Sequence, residues 1–379
     1  MSAVGISDAF WRGRRVFVTG HTGFVGGWLC LWLVRLGARV TGYALTPPTD
    51  PNLFTAIALD RDIESVVSDV RDAEALARAV ARCRPEIVVH LAAQPIVRNA
   101  FADPVGTYAT NVMGTVHLLD ALRRCDSVRA AVVMTTDKVY FNQEWPWGYR
   151  ETDRLGGREP YGTSKAAAEL VADAYRDSYL AGAPRPVALA TVRAGNVVGG
   201  GDWAPDRLVP DAMRAFASDA PLVLRNLAAV RPWQHVLEPA RGILMLAERL
   251  ARDGQDFAGA WNFGPPESEA WPVERVVAHL IRLWGRPVRC ETVAGAQPYE
   301  ARLLAVNSAK AAAELGWETV WSIAEALEHA VDWYRAFYDG ADMRALTLGQ
   351  IDEFAGRVGA PAHAMPARRA GAGMMTGAL

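Results

Sequence analysis

Short apolar runs alternate with longer amphipathic stretches through the first half of the chain. The run RRVFVTG, Arg14 to Gly20, ends in glycine and reads as a buried strand. FVGGWLCLWLVRLG follows at helical length, with Gly37 placed to close it in a left-handed conformation. ARVTGYAL and DIESVVSDV read as the second and third strands, and DAEALARAVARC as a helix capped by Asp72. PEIVVHLAA predicts a fourth strand, PVGTYATNVMGTVHLLDALRRC one long helix, and VRAAVVMTT a fifth strand. YGTSKAAAELVADAYRDSYLAG predicts another long helix, and PVALATVRAGNVVG a further strand.

Buried strands separated by helices specify a parallel sheet covered on both faces. Right-handed crossovers make it a doubly wound, Rossmann-like α/β sheet, with ligands at the carboxyl ends of its strands. GHTGFVG, HLAAQP, TTDK and RAGNVVGGGDW all fall at such ends. Beyond them the alternation weakens. GDWAPDRLVPDAMRAF predicts a helix with a proline-bearing entry, RPWQHVLEPARGILMLAERLAR a strand-like entry and a helix, and GAWNFGPP a strand and turn. PVERVVAHLIRLWG and SIAEALEHAVDWYRAFYDG are helical. The expected division is a dinucleotide-binding domain over 1–193 with a return to the sheet at 232–263. A smaller substrate-binding lobe covers 194–231 and 264–358, and a flexible tail 359–379.

Composition narrows the function classes. Among 379 residues, 51% are hydrophobic and 22% charged, which is ordinary for a globular protein. A net charge of −2 gives no broad attraction to nucleic acid or anionic membrane. Cys30, Cys83, Cys125 and Cys290 are far apart and lack metal-ligand spacing, so no metal is expected and the thiols fit a reducing compartment. The N-terminal stretch has no apolar signal-peptide region. The most apolar helix is shorter than the roughly 20 residues needed to cross a bilayer, and Arg35 interrupts it. A cytoplasmic protein with no membrane partner is expected.

Three motifs carry chemistry. In VTGHTGFVG, Gly20, Gly23 and Gly26 stand between a strand and a helix, where glycine lets the backbone approach a pyrophosphate at the helix N-terminus. The second strand ends Tyr43-Ala44-Leu45, with no acid for a ribose and no arginine for a 2′-phosphate, so it does not separate NAD from NADP. Asp69 after the third strand is either an adenine-side contact or a helix cap. The fifth strand ends in Thr136, Asp137, Lys138 and Tyr140, an acid and a base beside hydroxyls. That set suits a substrate that is both protonated and deprotonated at one place. YGTSK puts Tyr161 and Lys165 four residues apart on one helix face, where the ammonium favours the phenolate.

Together GxxGxxG, HLAAQP, TTDKVY and YxxxK resemble the extended short-chain dehydrogenase/reductases that modify nucleotide sugars. A Thr-Asp followed by another ionisable group resembles the 4,6-dehydratases, and lysine at Lys138 resembles the CDP-glucose 4,6-dehydratases. Longer strings agree, among them YATNVMGTVHLL, EWPWGYRETD, GNVVGGGDWAPDRLVPD and RPWQHVLEP, so the likeness covers roughly residues 8 to 340.

The resemblance implies a lyase with bound NAD that turns CDP-glucose into CDP-4-dehydro-6-deoxyglucose, a step of deoxysugar supply for polymers such as O-antigen. It implies that Tyr161 takes the C4 hydroxyl proton, Thr136 holds the C4 oxygen, and Lys165 holds the ribose. Asp137 is the chosen acid and Lys138 the chosen base, with the reverse assignment left open. The cofactor contacts it implies are Gly20, Thr22, Gly23, Phe24, Val25, Gly26, Asp69, Val70, Leu91, Ala92, Ala93 and Thr110, joined by Tyr161 and Lys165. The substrate contacts are Gln94, Asn196, Arg207, Arg231, Gln234 and Tyr299, and Arg193 falls where the family's substrate loop begins. It also implies a homodimer, or higher homo-oligomer, through the long helices near 104–125 and 161–181.

The chain departs from many relatives at Val25, where they carry lysine, and at Val139, Phe141, Ala305 and Asn307. These changes spare the reacting groups and leave the nucleotide and sugar open. A dehydratase of another nucleotide sugar, a 4-epimerase or reductase that loses no water, and a dinucleotide sensor are the alternatives.

Overall fold

The computed structural model describes residues 5–293 and 301–358; Tyr299 and the tail expected over 359–379 lie outside them. Seven strands make one sheet: β1 (Arg15–Thr19), β2 (Arg39–Ala44), β3 (Glu64–Val67), β4 (Ile87–His90), β5 (Ala130–Met134), β6 (Ala188–Ala194) and β7 (Gly259–Phe263). Their spatial order is β7-β6-β5-β4-β1-β2-β3, and every neighbouring pair is parallel. The chain winds outward from β1 to β3, then crosses back to β4 and winds the other way. The reversal between β1 and β4 opens the crevice in which such sheets bind ligands.

The central strands are buried along nearly their whole length, which is why they read as unbroken apolar runs. Alternate residues feed opposite layers. Val16, Val18, Val89 and Val132 join one core with helix α1 (Phe24–Arg35), whereas Phe17, Val88 and Val133 join a second core with α2 (Ala73–Cys83). Asp72 caps α2, accepting from Ala75 N at 2.9 Å.

The single helix expected from Pro104 is three stretches, Pro104–Tyr108, a π-helical turn at Ala109–Met113, and Gly114–Leu122, here together α3. The extra residue of the π turn lies where Asn111 leaves the helix surface to bond Gln94 and Ser164. Helix α4 (Pro160–Tyr175) follows on the same face.

Beyond β6 come α5 (Leu208–Ala217) and the short strand Leu222–Leu224, paired with Cys290–Thr292 outside the main sheet. The chain returns to the sheet through α6 (Leu237–Asp253) and β7, then leaves again for α7 (Val273–Trp284) and α8 (Ile323–Tyr338). Helix α9 (Met343–Arg357), grouped with the lobe in the sequence reading, lies against α1, with Trp32 and Phe354 rings 5.8 Å apart. No helix among the described residues is long and apolar enough to cross a membrane.

Candidate active site

A cavity of about 950 Å³ runs along the carboxyl ends of the strands. The glycine loop forms part of its wall. Gly20 has φ +80°, and a Cβ there would lie 2.7 Å from Ala92 N. A Cβ on Gly26 would lie 2.1 Å from Gly20 O, so the turn closes only with glycine at both places. Gly23 caps α1 without a side-chain oxygen, leaving the first-turn N–H groups toward the cavity. Bare N–H groups at the positive end of a helix dipole fit the pyrophosphate of NAD. Thr22, Phe24, Val25, Val70, Leu91, Ala92, Ala93 and Thr110 line the same cavity.

Asp69 also lines it, and Asp72, not Asp69, caps the following helix. Arg71 grips the Asp69 carboxylate from Nε at 2.9 Å and Nη2 at 2.6 Å, holding it below the usual carboxylate range. Two histidines near the loop are tied into the protein. His90 bonds Thr19 at 2.6 Å, and burial, helped by the Lys165 charge, brings its imidazole down to about 3. His21 bonds Ser65 at 2.7 Å, and burial brings it to about 4. Both are neutral at pH 7.

At the end of β5 the chain makes a 3₁₀ turn, Asp137–Val139, capped by Thr136. Thr136 Oγ1 donates to Asp137 Oδ1 at 2.9 Å, and Lys138 Nζ donates to the same oxygen at 3.2 Å. Asp137 is fully buried and its Oδ2 has no hydrogen-bond partner in the structure. An orphaned carboxylate oxygen is costly in a core and has a reason to be there when a ligand must meet it.

Tyr161 stands in the first turn of α4, fixed by Glu159. That cap accepts from Tyr161 N at 2.7 Å and Gly162 N at 2.6 Å, and Pro160 presets the first turn. Burial pushes the Tyr161 phenol up to about 12; a hydrogen bond with Thr136 and the charge of Arg207 pull the other way, while Asp137 and Glu159 add to the rise. Lys165 Nζ donates to Met134 O at 2.9 Å, and burial brings its ammonium down to about 8 against the favourable charge of Glu169. The YxxxK spacing has Lys165 lowering the phenol; in the structure desolvation is the largest influence on it.

Thr136, Asp137, Lys138, Tyr161, Lys165, Asn196, Arg207 and Arg231 meet in this one cavity. Arg207 is held at 2.8 Å by Asp202, and Asn196 Oδ1 is buried without a partner. Gln94 and Gln234 do not belong with them. Gln94 spends its amide on Thr107 and on Ile96 N, building its own loop. Gln234 is buried and donates to Phe263 O at 2.8 Å, at the end of β7. Arg193 is also turned inward, onto Glu169. Glu159, Arg98, Arg225 and Asn226 line the cavity without having been expected there. Only Glu159 carries a signal, an acid directly before the proline that opens a helix.

The family model described as GDP-mannose 4,6 dehydratase matches residues 17–330. A CDP-glucose 4,6-dehydratase of Salmonella typhimurium is 47% identical over 352 residues, covering 92% of this chain and 98% of that protein. A dTDP-glucose 4,6-dehydratase of Xanthomonas campestris pv. campestris is 28% identical, covering 84% and 92%. Among solved structures, a dTDP-glucose 4,6-dehydratase from Streptomyces venezuelae with NAD bound is similar at TM-score 0.74 and 26% identity, over 86% of this chain and 98% of that one.

Proposed function

The chain belongs to the GDP-mannose 4,6 dehydratase family, and on that premise we propose that it removes one water from CDP-glucose to give CDP-4-dehydro-6-deoxyglucose. The observation that carries this reading is the meeting of Asp137 and Lys138 with Tyr161 in one cavity. An enzyme that only moves hydride at C4 has no use for the additional acid and base. The near full-length likeness to the Salmonella typhimurium CDP-glucose 4,6-dehydratase supports the nucleotide.

NAD, held by the Gly20–Gly26 loop and Lys165, would supply the hydride acceptor for C4 and the hydride donor for C6. Tyr161 takes the C4 hydroxyl proton, Thr136 holds that oxygen, and the Lys165 ammonium favours the phenolate and holds the ribose. The resulting 4-ketone acidifies C5–H. With the proton of their shared hydrogen bond resting on Asp137, neutral Lys138 removes the C5 proton while Asp137 protonates the C6 hydroxyl, which leaves as water. Lys138 then returns its proton to C5 as C6 is reduced. The proton on Tyr161 replaces, through solvent, the one Asp137 gave up, so the net change is loss of water. Asn196, Arg207 and Arg231 are assigned to the nucleotide diphosphate, where arginine's planar fork can donate to two oxygens.

Mass spectrometry with NAD+ and separate CDP-, dTDP-, GDP- and UDP-glucose tests the reading. Loss of one water from CDP-glucose is expected. Loss only from another nucleotide sugar would move the substrate, and a mass-neutral change would favour epimerisation.

The protein is further proposed to act in the cytoplasm, where its four free thiols stay reduced, and to work as a homodimer through α3 and α4. Val105, Tyr108 and Met113 on α3 and Leu170 on α4 are exposed, apolar or aromatic, and suit such a contact. Sedimentation should give a dimer mass, and a monomer at assay concentration would refute it.

A further inference from the structure

A buried ion pair that the reaction scheme leaves without a task straddles the acid–base turn. Glu169 lies on α4 one turn beyond Lys165, on the face that also carries Tyr161. Its carboxylate accepts from Thr135 Oγ1, from Thr191 Oγ1 at 2.6 Å and from Arg193 Nη2 at 2.8 Å. The side chains of Arg193 and Glu169 are 3% and 0% exposed. Arg193 Nη1 goes on to donate to Tyr140 Oη and Glu151 O, each at 2.9 Å. Tyr140 Oη donates in turn to Asn262 Oδ1 at 2.7 Å, on β7. Thr135 precedes the turn that bears Asp137 and Lys138; Tyr140 follows it. The acid half of the pair therefore grips one end of the turn, and the basic half the other.

Stability is a poor account of this arrangement. Desolvating two charges costs about as much as their attraction returns, and apolar replacements of such pairs are often neutral or stabilising. Specific placement is a better one. We propose that Glu169 and Arg193, acting through Thr135 and Tyr140, are positioning residues that set Asp137 and Lys138 against the sugar and so govern the elimination half of the reaction. The inference rests on the dehydratase reading above. Tyr161 and Lys165 are anchored by the Glu159 cap and the Met134 carbonyl, bonds in which Tyr140 and Arg193 take no part. Loosening the Tyr140 end of the turn, the end away from Thr136, should therefore reach elimination before it reaches oxidation, since misplacement by about 1 Å can cost about 10²-fold in rate.

Tyr140→Phe is the sharpest probe. It deletes one hydroxyl and its bonds to Arg193 and Asn262, and keeps the ring that stacks on Tyr149 with centroids 5.0 Å apart. Enzyme, NAD+ and CDP-glucose are mixed rapidly; nicotinamide absorbance reads C4 oxidation and mass spectrometry reads water loss. Water loss should fall about 10- to 100-fold with oxidation nearly unchanged, so NADH accumulates as it does not in the wild type. Arg193→Lys, which keeps the charge but not the fork, should give the same signature and decides the matter if Tyr140→Phe fails to fold. Equal slowing of both steps, or of neither, would overturn the inference. A wild type that dehydrates no CDP-glucose would overturn the underlying reading as well.

Discussion

Tyr161→Phe should lower turnover of CDP-glucose by about 10²- to 10⁴-fold, the usual worth of a positioned acid–base group. No NADH should form in a single turnover, because the C4 hydroxyl proton then has no acceptor. The side chain suits this test. Its ring is buried and its backbone is pinned by Glu159, so phenylalanine keeps the packing and the helix start. Burial pushes the phenol up to about 12, so the positive charges nearby matter: Arg207 stabilises the phenolate through space, and Lys165 stands one turn along α4. A variant with normal turnover would take Tyr161 out of the reaction.

Lys138→Ala should stop the reaction later. Oxidation at C4 proceeds, the C5 proton stays, and NADH is trapped with no water lost; dehydration falls by about 10²- to 10⁴-fold. The change also strips the fully buried Asp137 of one hydrogen-bond donor and leaves Thr136 on the same oxygen. Some loss of thermal stability is therefore expected, and the step-resolved assay separates it from loss of the base. Full dehydration by Lys138→Ala would end its assigned role.

The sheet was legible because strands buried on both faces leave unbroken apolar runs, and the switch point because glycine-rich and polar ends punctuate them. That the candidate catalytic residues share one cavity follows from their short spacings, Thr136 to Lys138 and Tyr161 to Lys165, at a strand end and the helix start beside it. What escaped depends on long-range contact. Arg193 falls where the family's substrate loop begins, yet its partner Glu169 is 24 residues away on another element. Gln234 reads as a substrate contact until β7 supplies the carbonyl that takes its amide. The π turn in α3 inserts a residue where helical periodicity cannot show it. Arg225, bonded to Asp206, belongs to no motif, and only the folded chain brings it to the cavity.

The seventh strand has a practical consequence for engineering. β7 and the helix before it, Leu237–Phe263, belong spatially with the first half of the chain although they follow α5 in sequence. A chimera made with one crossover after β6 would swap the host's edge strand along with the donor's specificity elements. If that strand misfits, β6 is left with an open row of N–H and C=O groups, a template for aggregation. Exchange of nucleotide-sugar specificity between relatives therefore calls for two grafts, one on each side of Leu237–Phe263, with the host keeping the segment between.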